Sequence, residues 1–318
     1  MKLMIQIPCF NEAETLGVAL EALPKQVEGF DVVEVLVIDD GSSDNTVEVA
    51  REHGVHHIVR FTKNRGLARG FLAGLDACVK AGADVIVNTD ADNQYDARDI
   101  PKLTEPILQG SADIVVGVRA IEEIRHFSWI KKKLQKFGSG VIRRFSKTDI
   151  QDATSGFRAI SRDAALRLNV FNEYTYTLET IIQAGQKNLA VQSVPIRVNE
   201  DLRPSRLVKS ILSYVKKSIG TIIRISIVYK PIRFFMTIGI ILFGSGFLVG
   251  LRFLYFYFTG DGTGHVQSLI LASILLGIGF QTILIAFISD LLATNRKIME
   301  DVQYRLKKLE HATGRQEE

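Results

Sequence analysis

Cysteine is scarce in this chain. Cys9 and Cys78 are the only two in 318 residues, which argues against a disulfide framework and suits a reducing compartment. Charge of one sign is not in excess either. The formal net charge of +4 is too small to argue for a nucleic-acid partner. The opening Met1-Lys2-Leu3-Met4-Ile5 lacks the basic region, apolar stretch and cleavage site of a signal peptide and reads as the start of a strand. Apolar residues are not lacking: they make up 47% of the chain, enough for a sizeable core. They are unevenly spread, with long uninterrupted runs in the last third.

Two of those runs, Ile232–Phe258 and Val266–Leu292, exceed the ~20 apolar residues that a membrane-spanning helix needs. The glycine-rich link between them, residues 259–265, is too short to be a domain, so the pair reads as a helical hairpin. Arg252 lies near the far end of its span, where its head can snorkel to the interface. Phe253, Tyr255, Phe256 and Tyr257 beside it resemble an aromatic belt. Lys209, Lys216, Lys217, Arg224, Lys230 and Arg233 stand before or at the start of the first run, Arg296, Lys297, Arg305, Lys307 and Lys308 follow the second, and the link has no Lys or Arg. The positive-inside rule then expects both termini in the cytoplasm. Arg206–Tyr229 interleaves apolar residues at helical spacing with Lys and Arg, as an amphipathic helix on an anionic leaflet would; an ordinary surface helix is the alternative. The expected division is a domain over 1–202, juxtamembrane helices over 203–231, two spans over 232–292 and a charged tail over 293–318.

Residues 1–200 alternate strand and helix signals. Strands are expected at Met4–Ile7, Glu34–Ile38, His57–Arg60, Val85–Thr89 and Ile114–Val118. Asn11-Glu12-Ala13-Glu14 reads as a helix N-cap, and Ser43 or Asp44 as a second. Lys63–Gly70 opens a small-residue helix. This order implies an α/β fold with a doubly wound, mostly parallel sheet. Ligands of such sheets bind outside the carboxyl ends of the strands, and acidic residues stand at two of those ends: Asp39/Asp40, and Asp90/Asp92 in VIVNTDADNQYD. Two carboxylates so placed repel unless a cation sits between them. Mg2+ or Mn2+ shared with a substrate diphosphate would suit them, with the amide oxygen of Gln94 as a further ligand. A polar loop without metal, and turn chemistry at Asp39-Asp40-Gly41-Ser42, are the simpler readings of these segments.

IQIPCFNEAETL, VLVIDDGSSDNT, NRGLARG, TDADNQYD and DATSGFRAI occur in that order. Together they resemble glycosyltransferase family 2, most closely its polyprenyl-phosphate branch: dolichol-phosphate mannose synthases and polyisoprenyl-phosphate glucosyltransferases of the GtrB type, which also carry two C-terminal spans. The resemblance implies a GT-A fold, a nucleotide-sugar donor, a divalent cation and an inverting mechanism. It further implies that Pro8, Phe10, Glu12, Asp39 and Asp40 contact the nucleotide, with Asp90, Asp92 and Gln94 at the metal and diphosphate. By the same match Arg119 lies near a substrate phosphate, and Arg203 and Arg206 meet the acceptor. Lys132, within Lys131–Lys133, and Ser139 fall where relatives bind the lipid phosphate, although KKKLQKFGS departs from the mannose-synthase pattern; a solvated basic face is the alternative.

Asp152 matches a region where many relatives keep a general base. A lipid phosphate is already largely anionic near neutral pH, so Asp152 could orient a neighbour instead. The expected activity is transfer of a hexose, glucose from UDP-glucose first, to undecaprenyl or another polyprenyl phosphate at the cytoplasmic face of the inner membrane. GDP-mannose or an aminosugar nucleotide is the alternative donor, and a non-catalytic nucleotide-binding scaffold the alternative class. A processive synthase would need more spans and a QxxRW-type element, which the sequence lacks. Small residues along the spans (Gly239, Gly244, Gly246, Gly250, Gly277, Gly279) permit close helix contact. Association through them into a homo-oligomer, a tetramer by resemblance, is expected.

Overall fold

The computed structural model describes residues 1–119, 148, 150–170, 176–199, 220, 223–224, 227–260 and 265–314. The chain divides into two units, Met1–Val215 with Gln303–Glu318, and Lys216–Val302.

The first unit is built on a seven-stranded sheet. Its strands are β1 (Lys2–Cys9), β2 (Val32–Asp39), β3 (His57–Arg60), β4 (Val85–Asn88), β5 (Ile114–Arg119), β6 (Arg158–Ser161) and β7 (Val191–Ile196), in the order β3-β2-β1-β4-β6-β5-β7. The pairings are parallel except at β6, which runs antiparallel to both β4 and β5. The sheet is thus mostly parallel, as expected. The strands foreseen from apolar runs are present, and β1 and β2 extend beyond the expected limits. β6 and β7 were not foreseen: β6 is four residues long and opens on a charged residue, and β7 contains Pro195, tolerated because β7 is an edge strand.

Helices cover both faces. They are α1 (Leu16–Glu21), α2 (Thr46–Glu52), α3 (Leu67–Lys80), α4 (Ile100–Leu108), α5 (Arg162–Arg167) and α6 (Thr177–Gln186). Side chains alternate across a strand. Leu3 and Ile5 of β1 join Val85, Val87, Val115, Phe157, and Ile100 and Leu103 of α4 in one core. Ile7 and Cys9, on the same side of β1, join Leu16 of α1, and Val37 and Ala50, in another. Gln6 points the other way, toward α3, where a Cβ on Gly74 would lie 2.4 Å from its Oε1. Glycine is therefore required at 74 for the helix to approach the sheet.

The first helix begins later than expected. Asn11 adopts φ 55° rather than an N-cap conformation, and α1 starts at Leu16. At α2 the cap chemistry does come from Asp44, whose Oδ1 accepts from Thr46 N at 3.1 Å. The unit also includes the C-terminal end of the last helix, where Tyr304 donates to Asp163 Oδ1 at 2.7 Å and the Arg167 guanidinium lies 4.7 Å over the Tyr304 ring.

In the second unit, α7 (Pro231–Phe258) and most of α8 (Val266–Gly314) are long and apolar enough to cross a membrane. Large apolar side chains such as Ile241 and Leu248 are exposed. The two helices pack through glycine: an added Cβ on Gly246 would lie 2.8 Å from Leu276 N, and one on Gly279 2.5 Å from Phe243 N. Gly239 is similarly crowded by Ile283, whereas a Cβ on Gly244 or Gly277 would meet nothing within 4 Å among the described residues. Three of the six small residues are thus used within the hairpin. Most of the expected amphipathic segment Arg206–Tyr229 lies outside the described residues.

Candidate active site

The register of the sheet explains how distant motifs meet. Cys9 pairs with Asp39 and Gln6 with Asn88, so the loops after β1, β2 and β4 leave from one edge. The antiparallel β6 supplies a fourth segment in reverse. Its first residue, Arg158, pairs with Asn88, the last of β4, so the loop before β6, Asp152–Phe157, reaches the same edge. Arg119 ends β5 there.

The first two loops are laced together. Asn11 N donates to Ser42 Oγ at 2.9 Å, Ser43 N to Asn11 Oδ1 at 2.8 Å and Glu12 N to Thr46 Oγ1 at 2.9 Å. Glu12 accepts from Thr15 Oγ1, and Phe10, just past Pro8 and β1, is exposed. Asp39 is fully buried. Its Oδ1 accepts from Ser42 N at 2.9 Å. Its Oδ2 has no hydrogen bond among the described residues, although Arg60 Nε stands 3.2 Å away. A buried oxygen in that state suits a donor from a ligand. Asp40 accepts from Arg65 N at 2.7 Å and Gly66 N at 2.8 Å, fixing the third loop beside the first two. Gly41 has φ 73°, and a Cβ there would meet the Lys63 backbone at 2.6 Å, so the turn admits only glycine.

Beyond β4, Asp92 Oδ1 accepts from Gln94 N at 3.2 Å, and the intervening Asn93 has φ 54°. Burial, then the Asp92 charge, push Asp90 up to about 7, while Arg119 and Arg158 pull it down. A pair of carboxylates under that strain fits a cation. No group of three or more His, Cys, Asp or Glu forms a cage among the described residues. Two carboxylates, completed by water and substrate phosphate, are a common way to hold such an ion. Gly156 packs directly on Asp90: a Cβ there would lie 3.1 Å from both carboxylate oxygens and from Tyr176 Oη.

On the far side, Arg119 clasps Asp152 with Nε–Oδ2 at 2.7 Å and Nη2–Oδ1 at 3.1 Å. Thr154 Oγ1 donates to Asp152 Oδ1 at 2.8 Å and accepts from Arg119 Nη2 at 2.9 Å. Burial would raise the Asp152 carboxyl, but the Arg119 charge and hydrogen bond, with Thr154, hold it below the usual carboxylate range.

Several residues beneath the site were not singled out from sequence. Arg158 is buried and donates to Ala153 O at 2.9 Å, Ser155 O at 2.8 Å, Thr177 O at 2.8 Å and Thr180 Oγ1 at 2.6 Å. It thereby clamps the Asp152–Gly156 loop onto α6. Asn88 donates to Gly156 O and Tyr176 Oη, both at 2.9 Å, and Tyr176 stacks on Phe71 at 3.9 Å. The only sequence signal was the SGFR stretch of the last motif. Lys132, Ser139, Arg203 and Arg206 lie outside the described residues.

The model of glycosyl transferase family 2 matches residues 4–168. The polyprenol monophosphomannose synthase of Mycolicibacterium smegmatis is 28% identical over 212 residues, covering 62% of this chain and 77% of the relative. The undecaprenyl-phosphate mannosyltransferase of Micrococcus luteus is 29% identical over 219 residues, covering 65% and 88%. Among solved structures, glucosyl-3-phosphoglycerate synthase of Mycobacterium tuberculosis with Mn2+ and UDP-glucose superposes with a TM-score of 0.54 at 19% identity, over 70% of this chain and 78% of that one. That likeness establishes the fold.

Proposed function

Because the chain belongs to glycosyltransferase family 2, we propose that it transfers a hexose from a nucleotide sugar to a polyprenyl phosphate. The observation that carries this reading is the meeting, at one sheet edge, of the buried Asp39, the Asp90/Asp92 pair and the Arg119–Asp152 pair, in a chain that also holds two helices able to cross a membrane. Relatives named for polyprenol and undecaprenyl phosphate support the acceptor class.

In this reading the loops after β1 and β2 take the nucleoside: Pro8, Phe10 and Glu12 border it, and Asp39 accepts from the base or ribose. Asp40 acts through the third loop that it holds. Asp90, Asp92 and Gln94 would hold Mg2+ or Mn2+, which when bound neutralises charge on the donor diphosphate. The acceptor phosphate oxygen attacks the anomeric carbon as the bond to the diphosphate oxygen breaks, and the nucleoside diphosphate departs. A single displacement inverts the anomeric centre. The attacking oxygen is already anionic and needs no strong base, and Asp152, held low by Arg119, is a weak one. We assign Asp152 to orienting Arg119, whose charge steadies phosphate oxygens. Arg203 and Arg206, with Lys132 and Ser139, are proposed to meet the lipid phosphate.

UDP-glucose is the donor proposed, from the likeness of the two-span layout to the GtrB type. GDP-mannose is the second reading, favoured by the mannosyl specificity named for both relatives. We place both termini at the cytoplasmic face of the inner membrane, by the distribution of Lys and Arg, and propose a homo-oligomer, a tetramer, associating through the spans. A radiolabelled transfer assay with UDP-glucose, GDP-mannose and UDP-N-acetylglucosamine against polyprenyl phosphate, with and without EDTA, tests the reading. Transfer from one donor that EDTA abolishes is expected; no transfer from any donor refutes it.

A further inference from the structure

The loop carrying Asp90 and Asp92 is held from outside itself. It leaves β4 at Asn88 and turns through Asn93, whose φ of 54° is costly for any residue but glycine and tolerated by Asn. The segment just beyond β7 runs antiparallel to the limb that follows this turn. Tyr95 and Val198 form a β-bridge, and Asp96 N donates to Arg197 O at 3.3 Å. Asn199 closes the contact. Its backbone N donates to Gln94 O at 2.8 Å, and its side-chain Nδ2 donates to Asn93 O at 2.9 Å and Tyr95 O at 3.3 Å. Three consecutive carbonyls of the loop therefore converge on one residue. On the opposite side, Tyr95 Oη accepts from Gly156 N at 3.0 Å and its ring stacks on Phe157 at 5.1 Å.

We propose that Asn199 is a positioning residue for the cation site. It touches neither cation nor substrate; it holds the turn that sets Asp92 and Gln94 relative to Asp90. The proposal rests on the reading that Asp90 and Asp92 hold a divalent cation. The chemistry explains the residue type. Two carbonyls flanking a turn need two N–H donors on one short planar group, which Asn supplies. Ala or Leu supplies none, and a loop released from the staple must be ordered by the cation itself, at the expense of affinity. Partners that orient ligands from outside typically contribute 10–100-fold in metal affinity.

The test is Mn2+ binding, with Mn2+ as the only ligand, followed by water-proton relaxation on the full-length chain in detergent. Asn199→Ala and the similarly sized Asn199→Leu are compared with wild type, with Asp92→Ala and with Gln192→Ala. Gln192 also donates from its side chain to a backbone carbonyl, that of Ser111, and lies on β7 away from the loop. Asn199→Ala and Asn199→Leu should each weaken Mn2+ binding about tenfold or more, with melting curves close to that of Gln192→Ala, which should bind as wild type. Wild-type Mn2+ affinity in the Asn199 variants, beside weak binding by Asp92→Ala, overturns the proposal and leaves the metal reading standing. An equal loss in Gln192→Ala means general destabilisation and also overturns it. Undiminished binding by Asp92→Ala overturns the metal reading instead.

Discussion

Arg119 and Asp152 form a two-pronged ion pair, Nε–Oδ2 2.7 Å and Nη2–Oδ1 3.1 Å, with the carboxylate fully buried. They come from opposite sides of a reversal in the sheet: Arg119 ends β5, and Asp152 precedes the antiparallel β6. Removing either member breaks this buried pairing and takes from the other its bidentate partner.

Asp152→Asn should therefore cost stability, about 3 kcal/mol by the usual cost of breaking a buried pair, and should lower kcat more than it raises the KM for nucleotide sugar. The folded-state value of this carboxyl is depressed. Its contribution to stability is thus present above the ordinary carboxylate range and is lost as pH falls through the folded value. Activity at neutral pH should show no limb due to Asp152. A variant with wild-type kcat and melting temperature would count against both roles.

Asp92→Ala should abolish transfer and leave the circular dichroism spectrum unchanged, because it removes a proposed ligand shared between cation and diphosphate. Asp90→Ala should be nearly as severe. Activity that survives in either variant, or in wild type with EDTA, would contradict the metal role.

Gly156 gives a sharper probe of the same carboxylate. A Cβ 3.1 Å from both Asp90 oxygens is tighter than ordinary contact, and the Tyr176 hydroxyl at the same distance blocks retreat. Gly156→Ala should reduce transfer at least tenfold while moving the melting temperature by only a few degrees, as expected for about 1 kcal/mol. Steady-state kinetics and a melting curve on the same preparation decide it.

Asp99 tests the frame under the loop. Burial alone would raise it, but hydrogen bonds from Arg197 and Lys102 outweigh that and hold it down at about 2, with Arg197 Nη2–Oδ1 at 2.7 Å. The sign follows from a depressed folded-state value: the carboxylate stabilises the fold above pH ~4 and loses that effect as pH falls toward 2. Asp99→Asn should lower stability by about 2 kcal/mol at pH 7, and the difference from wild type should shrink on acidification from pH 4 to 2. Denaturant melts at several pH values would reveal a pH-independent difference if the pairing is inert.

The parts legible in the sequence were those written in local patterns. Apolar runs marked β1, β2, β4 and β5, and carboxylates at strand ends marked the crevice. Parts that depend on which strand lies next to which were hidden. Nothing local in Arg158-Ala159-Ile160-Ser161 announces an antiparallel strand, and a charged residue there reads as surface until its four acceptors are seen. The helix cap expected at Asn11 failed because that residue spends its side chain on Ser43 N across a neighbouring loop. Asn199 was invisible for the same reason: its partners lie more than a hundred residues away in the chain.

The spans offer a comparison of two glycines that composition treats alike. Gly279 faces the partner helix so closely that a Cβ would sit 2.5 Å from the Phe243 backbone nitrogen, whereas a Cβ on Gly277 would meet nothing within 4 Å among the described residues. A backbone atom cannot turn aside as a flexible side chain can, so Gly279→Leu should force the hairpin apart. It should lower the melting temperature in detergent by several degrees or expose the α7–α8 link to protease. Gly277→Leu should do neither, since its Cβ position is open among the described residues. If copies associate through the spans as proposed, that open side, with Gly244, is available for close helix contact. Gly277→Leu should then weaken crosslinking between copies in native membranes while leaving the hairpin intact. Equal effects of the two substitutions on hairpin stability would mean that the glycine pattern does not distinguish an inner from an outer face. Unchanged crosslinking in a stable Gly277→Leu protein would remove that face from the proposed assembly.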